Sequence, residues 1–159
     1  MCQAWIRLKL TCGLRATDLH RLRVSDSNTE GLFTVRPSKT ENTTGRVQIF
    51  KWTEDRRRAW EMAIAARPID IGPHVFCNKR GESYLNESTG RATGFDSIWQ
   101  RFMDRVLAET KATTRFAERD LRATVGSDAE SIERAQRILG HADQRVTQAC
   151  CRRKAEVIE

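Results

Sequence analysis

The chain has 159 residues, 39% of them hydrophobic and 31% charged, which is enough apolar material for one buried core and too little length for a second full domain. Its 28 Lys and Arg outweigh 21 Asp and Glu, and the net charge of +7 favours a polyanionic partner, nucleic acid before membrane. No apolar run approaches the ~18 residues of a membrane span, and Met1-Cys2-Gln3-Ala4-Trp5 lacks the basic start and apolar stretch of a signal peptide, so a soluble, cytoplasmic protein without membrane contact is expected.

In chain order, Trp5, Leu8 and Cys12 fall on one face of a first helix, and Gly13 is a natural stop. A second, short helix is expected from about Thr17 to Leu22. Two β-like runs follow, Leu32 to Arg36 and Arg46 to Phe50. Between them stand the turn formers Pro37, Ser38, Asn42 and Gly45, which predicts a long-looped hairpin with Lys39 near its tip. Thr53 is the expected N-cap of a helix that buries Trp60, Ala63 and Ile64 and is ended by Pro68. His74-Val75-Phe76-Cys77 reads as a third strand. Phe95, Ile98, Trp99, Phe102, Val106 and Leu107 recur at helical spacing and predict a core helix. Ser127-Asp128-Ala129-Glu130 reads as a capping box opening another helix, with Ile132, Ala135 and Leu139 inward and Gly140 as its end. The outline is an α+β fold, mostly helical, with a small antiparallel β-sheet inserted near the N-terminal part.

The five cysteines, at 2, 12, 77, 150 and 151, form an odd set without C-x-x-C spacing, and His20, His74 and His141 are scattered. Neither a disulfide scaffold nor a zinc site is expected, and the thiols are read as reduced.

Four segments need more than packing to explain them: Gly13-Leu14-Arg15-Ala16-Thr17-Asp18-Leu19, Pro37-Ser38-Lys39-Thr40, Arg119-Asp120-Leu121-Arg122, and Leu139-Gly140-His141 followed by Cys150-Cys151-Arg152-Arg153-Lys154. In order and spacing they resemble the catalytic domain of the tyrosine recombinase, or phage integrase, family. That family carries an Arg in a G-[LM]-R-x-[ST]-[ED]-[LI] segment, a Lys on a β-hairpin, an H-x-L-R segment, an L-G-H segment, and a nucleophilic Tyr nine or ten residues later. Arg15, Lys39, Arg122 and His141 occupy the matching positions.

The resemblance implies DNA integration and recombination by phosphodiester transesterification on double-stranded DNA, in assemblies with further recombinase protomers up to a tetramer, and with no metal or other cofactor. The residue chemistry agrees. Two guanidinium groups, Arg15 and Arg122, suit the non-bridging oxygens of a phosphate and the charge of a pentavalent phosphorane. Lys39 can protonate the departing 5′ oxygen, and His141 can hydrogen-bond the same phosphate.

Two positions depart from the family pattern. Arg119 stands where H-x-L-R has its His; it can bind phosphate but has no lone pair to serve as a base. The nucleophilic Tyr is replaced by cysteine. Counting from His141 gives Cys150 at nine residues and Cys151 at ten, and Tyr immediately before Arg-Arg-Lys in similar sequences favours Cys151 as the nucleophile position, with Cys150 as the alternative register. A cysteine sulfur lies roughly 3–4 Å closer to its Cα than a tyrosine hydroxyl does, and ~1 Å of misplacement costs ~100-fold. The chain is therefore expected to be cleavage-defective. Residues 1–159 are read as the catalytic domain alone, a fragment or the remnant of a mobile element, with the family's N-terminal core-binding domain absent. The alternatives are a non-catalytic DNA-binding or recombinase-partner protein that uses the phosphate clamp, and a cysteine-based phosphodiester hydrolase, against which stands the lack of a C-x-x-x-x-x-R phosphate loop.

Overall fold

The structure, a computed structural model, describes residues 1–28, 32–38 and 47–151. Helix α1 (Cys2–Cys12) buries Trp5, Leu8 and Cys12 and ends where glycine allows it: Gly13 takes φ 63° and ψ 18°, and its N–H bonds the Lys9 carbonyl. Helix α2 (Ala16–Arg21) follows at once, and a 3₁₀ turn at Val24–Asp26 leads to the sheet. Strands β1 (Leu32–Val35) and β2 (Gln48–Lys51) pair antiparallel with Phe33 opposite Phe50. Those rings stack at 4.9 Å and extend through Trp52 and Trp60 into an aromatic layer. The expected hairpin is thus present as a strand pair inserted between α2 and α3; its tip, with Lys39, lies outside the described residues.

Thr53 caps α3 (Glu54–Ala65) by accepting the Arg56 N–H, and Ala59, Trp60 and Ala63 turn the helix onto α1. Helix α4 (Thr93–Glu109) buries Phe95, Trp99 and also Met103. Ile98, Phe102, Val106 and Leu107 flank that stripe half-buried. Trp5 joins α1 to α4 through ring contacts with Phe95 at 5.0 Å and Trp99 at 5.7 Å. Helices α5 (Glu118–Asp128), α6 (Ile132–Leu139) and α7 (Gln144–Cys151) pack on one another, and α5 also lies against α1.

Two expectations are corrected. His74 to Cys77 is not a strand: it makes isolated bridges, Arg23 with His74 and Cys77 with Ser83. The partner segment turns into the 3₁₀ helix immediately after Arg23, so no ladder can propagate, and Val75, Phe76 and Cys77 are all buried instead of alternating. Nor does Ser127 open a helix. Ser127 and Asp128 are the last residues of α5, and α6 starts one turn later, where the Ser131 hydroxyl accepts the Arg134 N–H at 3.2 Å. Packing of α5 against its three neighbours carries that helix through the local capping signal. Among the described residues no helix is long and apolar enough to cross a membrane.

Candidate functional site

The site is assembled from two helix ends. A helix C-terminus leaves carbonyls without intrahelical partners and carries partial negative charge. Helices α1 and α6 both end on a glycine in the left-handed region, Gly13 and Gly140, each at φ 63°. A Cβ on Gly13 would come within 3.0 Å of Leu139, so the two ends are in contact. The Arg122 guanidinium staples them: Nη1 donates to the Gly13 carbonyl and Nη2 to the Leu139 carbonyl. Residues 13 and 122 are 109 positions apart, so this bond joins the two ends of the chain's folded core. Gln48 of β2 adds a second cap, its Nε2 donating to the Ile138 carbonyl at 3.1 Å.

Each glycine turns the chain out of its helix toward a residue singled out in the sequence. Past Gly140 comes His141, whose Nε2 is 3.2 Å from Arg122 Nη2 and whose Nδ1 is 2.9 Å from the hydroxyl of Thr147. Thr147 is fully buried on α7. Gln136 holds the exit loop by donating to the carbonyls of His141 and Ala142. Past Gly13 comes Arg15, the half-buried N-cap of α2, whose Nη1 lies 3.8 Å from Asp18 Oδ2.

Asp18 ties this helix to the hairpin. It is buried, and its Oδ1 accepts both the Ser38 N–H at 2.8 Å and the Ser38 hydroxyl at 2.9 Å. Ser38 immediately precedes Lys39, so the chain enters the segment carrying that lysine from a point anchored beside Arg15.

Beneath the site lies a buried cation. Lys9, 1% exposed, pairs with Glu118 and stands 4.6 Å above the Trp5 ring. Burial lowers its pKa from the ordinary lysine value, and Glu118 offsets part of that effect. The pair locks the first turn of α5, which carries Arg119 and Arg122, onto α1. Arg119 is exposed, one helical turn before Arg122.

The structure thus brings Arg122 and His141 together and sets Arg15 two residues beyond the Gly13 carbonyl. Lys39 lies outside the described residues, and so do the side chains of Cys150 and Cys151, although α7 runs to Cys151. Tyr84, the single tyrosine of the sequence, is half-buried against His20 and Phe95 in the core, where burial pushes its phenol up. Cys2, Cys12 and Cys77 are buried free thiols, Cys12 pushed up to about 11 by burial. Among the described residues no three His, Cys, Asp or Glu side chains gather as metal ligands. Sequence reading left Asp18, Gln48 and Thr147 without roles. Asp18 alone had a local signal, one turn after Arg15 on the same short helix.

No protein-family model and no curated protein matches the chain. Solved structures do. The Tn1549 transposon integrase in complex with a circular intermediate DNA superposes with a TM-score of 0.70 at 18% identity, over 92% of this chain and 52% of that one. XerA recombinase gives 0.61 at 19% identity, over 93% and 57%. A lambda integrase tetramer bound to a Holliday junction gives 0.62 at 19% identity, over 98% and 44%. The chain spans about half the length of these structures, and its fold is that of a tyrosine recombinase catalytic domain.

Proposed function

We propose that the chain is a tyrosine-recombinase-type catalytic domain that binds duplex DNA and grips one backbone phosphate with Arg15, Arg122 and His141. The observation that carries this reading is the convergence of Arg122 and His141 on two helix ends, one of which leads directly to Arg15. In this reading the two guanidinium groups hold the non-bridging oxygens and His141 hydrogen-bonds the same phosphate. Arg119 adds a phosphate contact, and Lys39 protonates the departing 5′ oxygen. The net charge of +7 supplies the long-range attraction. The Tn1549 and lambda integrases were captured on DNA, the latter as a tetramer and as a dimer. Duplex DNA and further protomers are accordingly the proposed partners, and DNA integration and recombination for a mobile element the proposed process.

Cys151, or Cys150 in the alternative register, stands at the nucleophile position. With its shorter reach and with Arg119 in place of a base, this chain binds DNA without efficient cleavage. The same two substitutions favour, as the second reading, a recombinase partner that occupies sites without chemistry.

A suicide DNA substrate tests the reading. Wild type is expected to leave no stable adduct, while Cys151→Tyr with Arg119→His forms a covalent DNA complex. Cys151→Tyr alone yields less of it, since a general base contributes typically ~10²–10⁴-fold. Adducts from Cys150→Tyr and not Cys151→Tyr reverse the register. A thiol-sensitive adduct on wild type supports cysteine-based hydrolysis instead, and DNA binding with no adduct from any variant supports the partner reading.

A further inference from the structure

The geometry points to Thr147 as a positioning residue that pairs with His141 in either tautomer, so that the tautomer set by Arg122 can reverse when a phosphate binds; only the reversal rests on the function proposed above. His141 lies between Arg122 Nη2, 3.2 Å from Nε2, and Thr147 Oγ1, 2.9 Å from Nδ1. A guanidinium offers N–H donors and no lone pair. Its contact with Nε2 is therefore a hydrogen bond only when Nε2 is bare. A doubly protonated ring would set N–H against N–H and bring two positive charges side by side. The proton accordingly stands on Nδ1, which donates to the Thr147 hydroxyl oxygen. A ring nitrogen's partner determines which tautomer is held; here Arg122 determines it, and a fully buried hydroxyl on a helix packed against α5 and α6 pairs the other nitrogen.

A phosphodiester oxygen only accepts hydrogen bonds, so a bare Nε2 repels it. His141 can bind phosphate as a neutral ring only with the proton on Nε2, which requires Arg122 Nη2 to leave Nε2 and donate to the phosphate instead. A hydroxyl both donates and accepts, and after rotation Thr147 O–H donates to the bare Nδ1. The proton balance closes: Nδ1 gives one proton to water, Nε2 takes one from water, and Thr147 keeps its own. A carbonyl at this place would lock the first tautomer, and a valine would pair with neither.

The test is the imidazole nitrogen NMR spectrum of the full chain with isotope-labelled histidine at about pH 8, where an ordinary histidine of pKa ~6.5 is neutral. The His141→Gln variant assigns the signals. Without ligand, the proton is expected on Nδ1 in wild type, Thr147→Ser and Thr147→Val, because Arg122 still faces Nε2; Thr147→Val alone loses the hydrogen-bonded shift of Nδ1–H and the reversal on DNA. Saturating duplex DNA moves the proton to Nε2. A ligand-free wild type with its proton on Nε2 overturns the selection, and this measurement needs no variant to fold. A folded Thr147→Val whose Nδ1–H shift equals that of wild type overturns the pairing with Thr147. A bound state that keeps Nδ1–H, or is doubly protonated, overturns the reversal. DNA that does not bind at all contradicts the proposed function while leaving the ligand-free result standing, and a sulfate titration then reads the reversal.

Discussion

Asp18 holds Ser38 by two hydrogen bonds to a single carboxylate oxygen, 2.8 Å from the backbone nitrogen and 2.9 Å from the hydroxyl. One buried side chain thereby connects the turn that carries Arg15 with the start of the segment that carries Lys39. Asp18→Ala leaves a backbone N–H without its acceptor and is expected to cost about 1–3 kcal/mol of unfolding free energy. Asp18→Asn, which keeps an acceptor oxygen, costs less. Urea unfolding of both variants checks the order; an alanine variant as stable as wild type would show that Asp18 does not anchor Ser38.

Gly140 occupies the left-handed region, and a Cβ there would stand 2.9 Å from Gln48 Nε2. Gly140→Ala is expected to destabilise by about 1–2 kcal/mol from the backbone alone, with a further loss as Gln48 is displaced from the Ile138 carbonyl. Because the second loss is shared, Gly140→Ala and Gln48→Ala together should cost less than the sum of the two. Strict additivity in a denaturation cycle would contradict this.

The Lys9 and Glu118 pair is asymmetric, with side-chain exposures of 2% and 39%. Removing the buried cation by Lys9→Met lets Glu118 return to water, whereas Glu118→Gln strands a charge in the core. Glu118→Gln is expected to cost about 3 kcal/mol and Lys9→Met much less. Burial already lowers the Lys9 pKa, so the unfolded chain binds more protons and the stability of Glu118→Gln should rise toward alkaline pH. Equal costs for the two variants would show that the pair is not buried as described.

The parts of this architecture that were legible in the sequence are those written locally. Trp5, Leu8 and Cys12 define a face, Gly13 ends it, and α1 buries that face and stops at that glycine. Helix α5 has no such signature: Leu121 and Gly126 are its buried residues, too sparse a stripe to read as a period, and its existence depends on α1, α6 and α7 around it. Helix α7 was equally silent. The same division runs through the site. Arg15, Arg122 and His141 stood out through motif order, since each adjoins a recognisable glycine or leucine. Thr147, Gln48 and the bond from Asp18 to Ser38 act across contacts that no spacing encodes.

His20 is buried between aromatic rings, 4.6 Å from Phe95 by ring centroids, and burial lowers its pKa from 6.5 to about 4. Its folded value lies below its unfolded one, so the unfolded chain takes up the proton first. The associated stability is present above pH 6.5 and is lost as pH falls toward about 4. The full window is worth up to about 3 kcal/mol. Urea midpoints from pH 7 to pH 4 should fall more steeply for wild type than for His20→Gln, and parallel slopes would contradict the assignment.

Whether Arg15 and Arg122 share one phosphate is read from duplex DNA affinity, across a salt series, for wild type, Arg15→Gln, Arg122→Gln, the double variant and exposed Arg91→Gln as control. Circular dichroism confirms that each is folded. If Arg15 and Arg122 share one phosphate, each single change weakens binding, the double change costs less than the sum, and Arg91→Gln has a smaller effect. The wild-type dependence on log salt should be steep, about −0.9 per neutralised phosphate, and shallower by about one phosphate in the clamp variants. Equal, additive losses at all three arginines, or affinity that does not change with salt, would contradict a shared phosphate site.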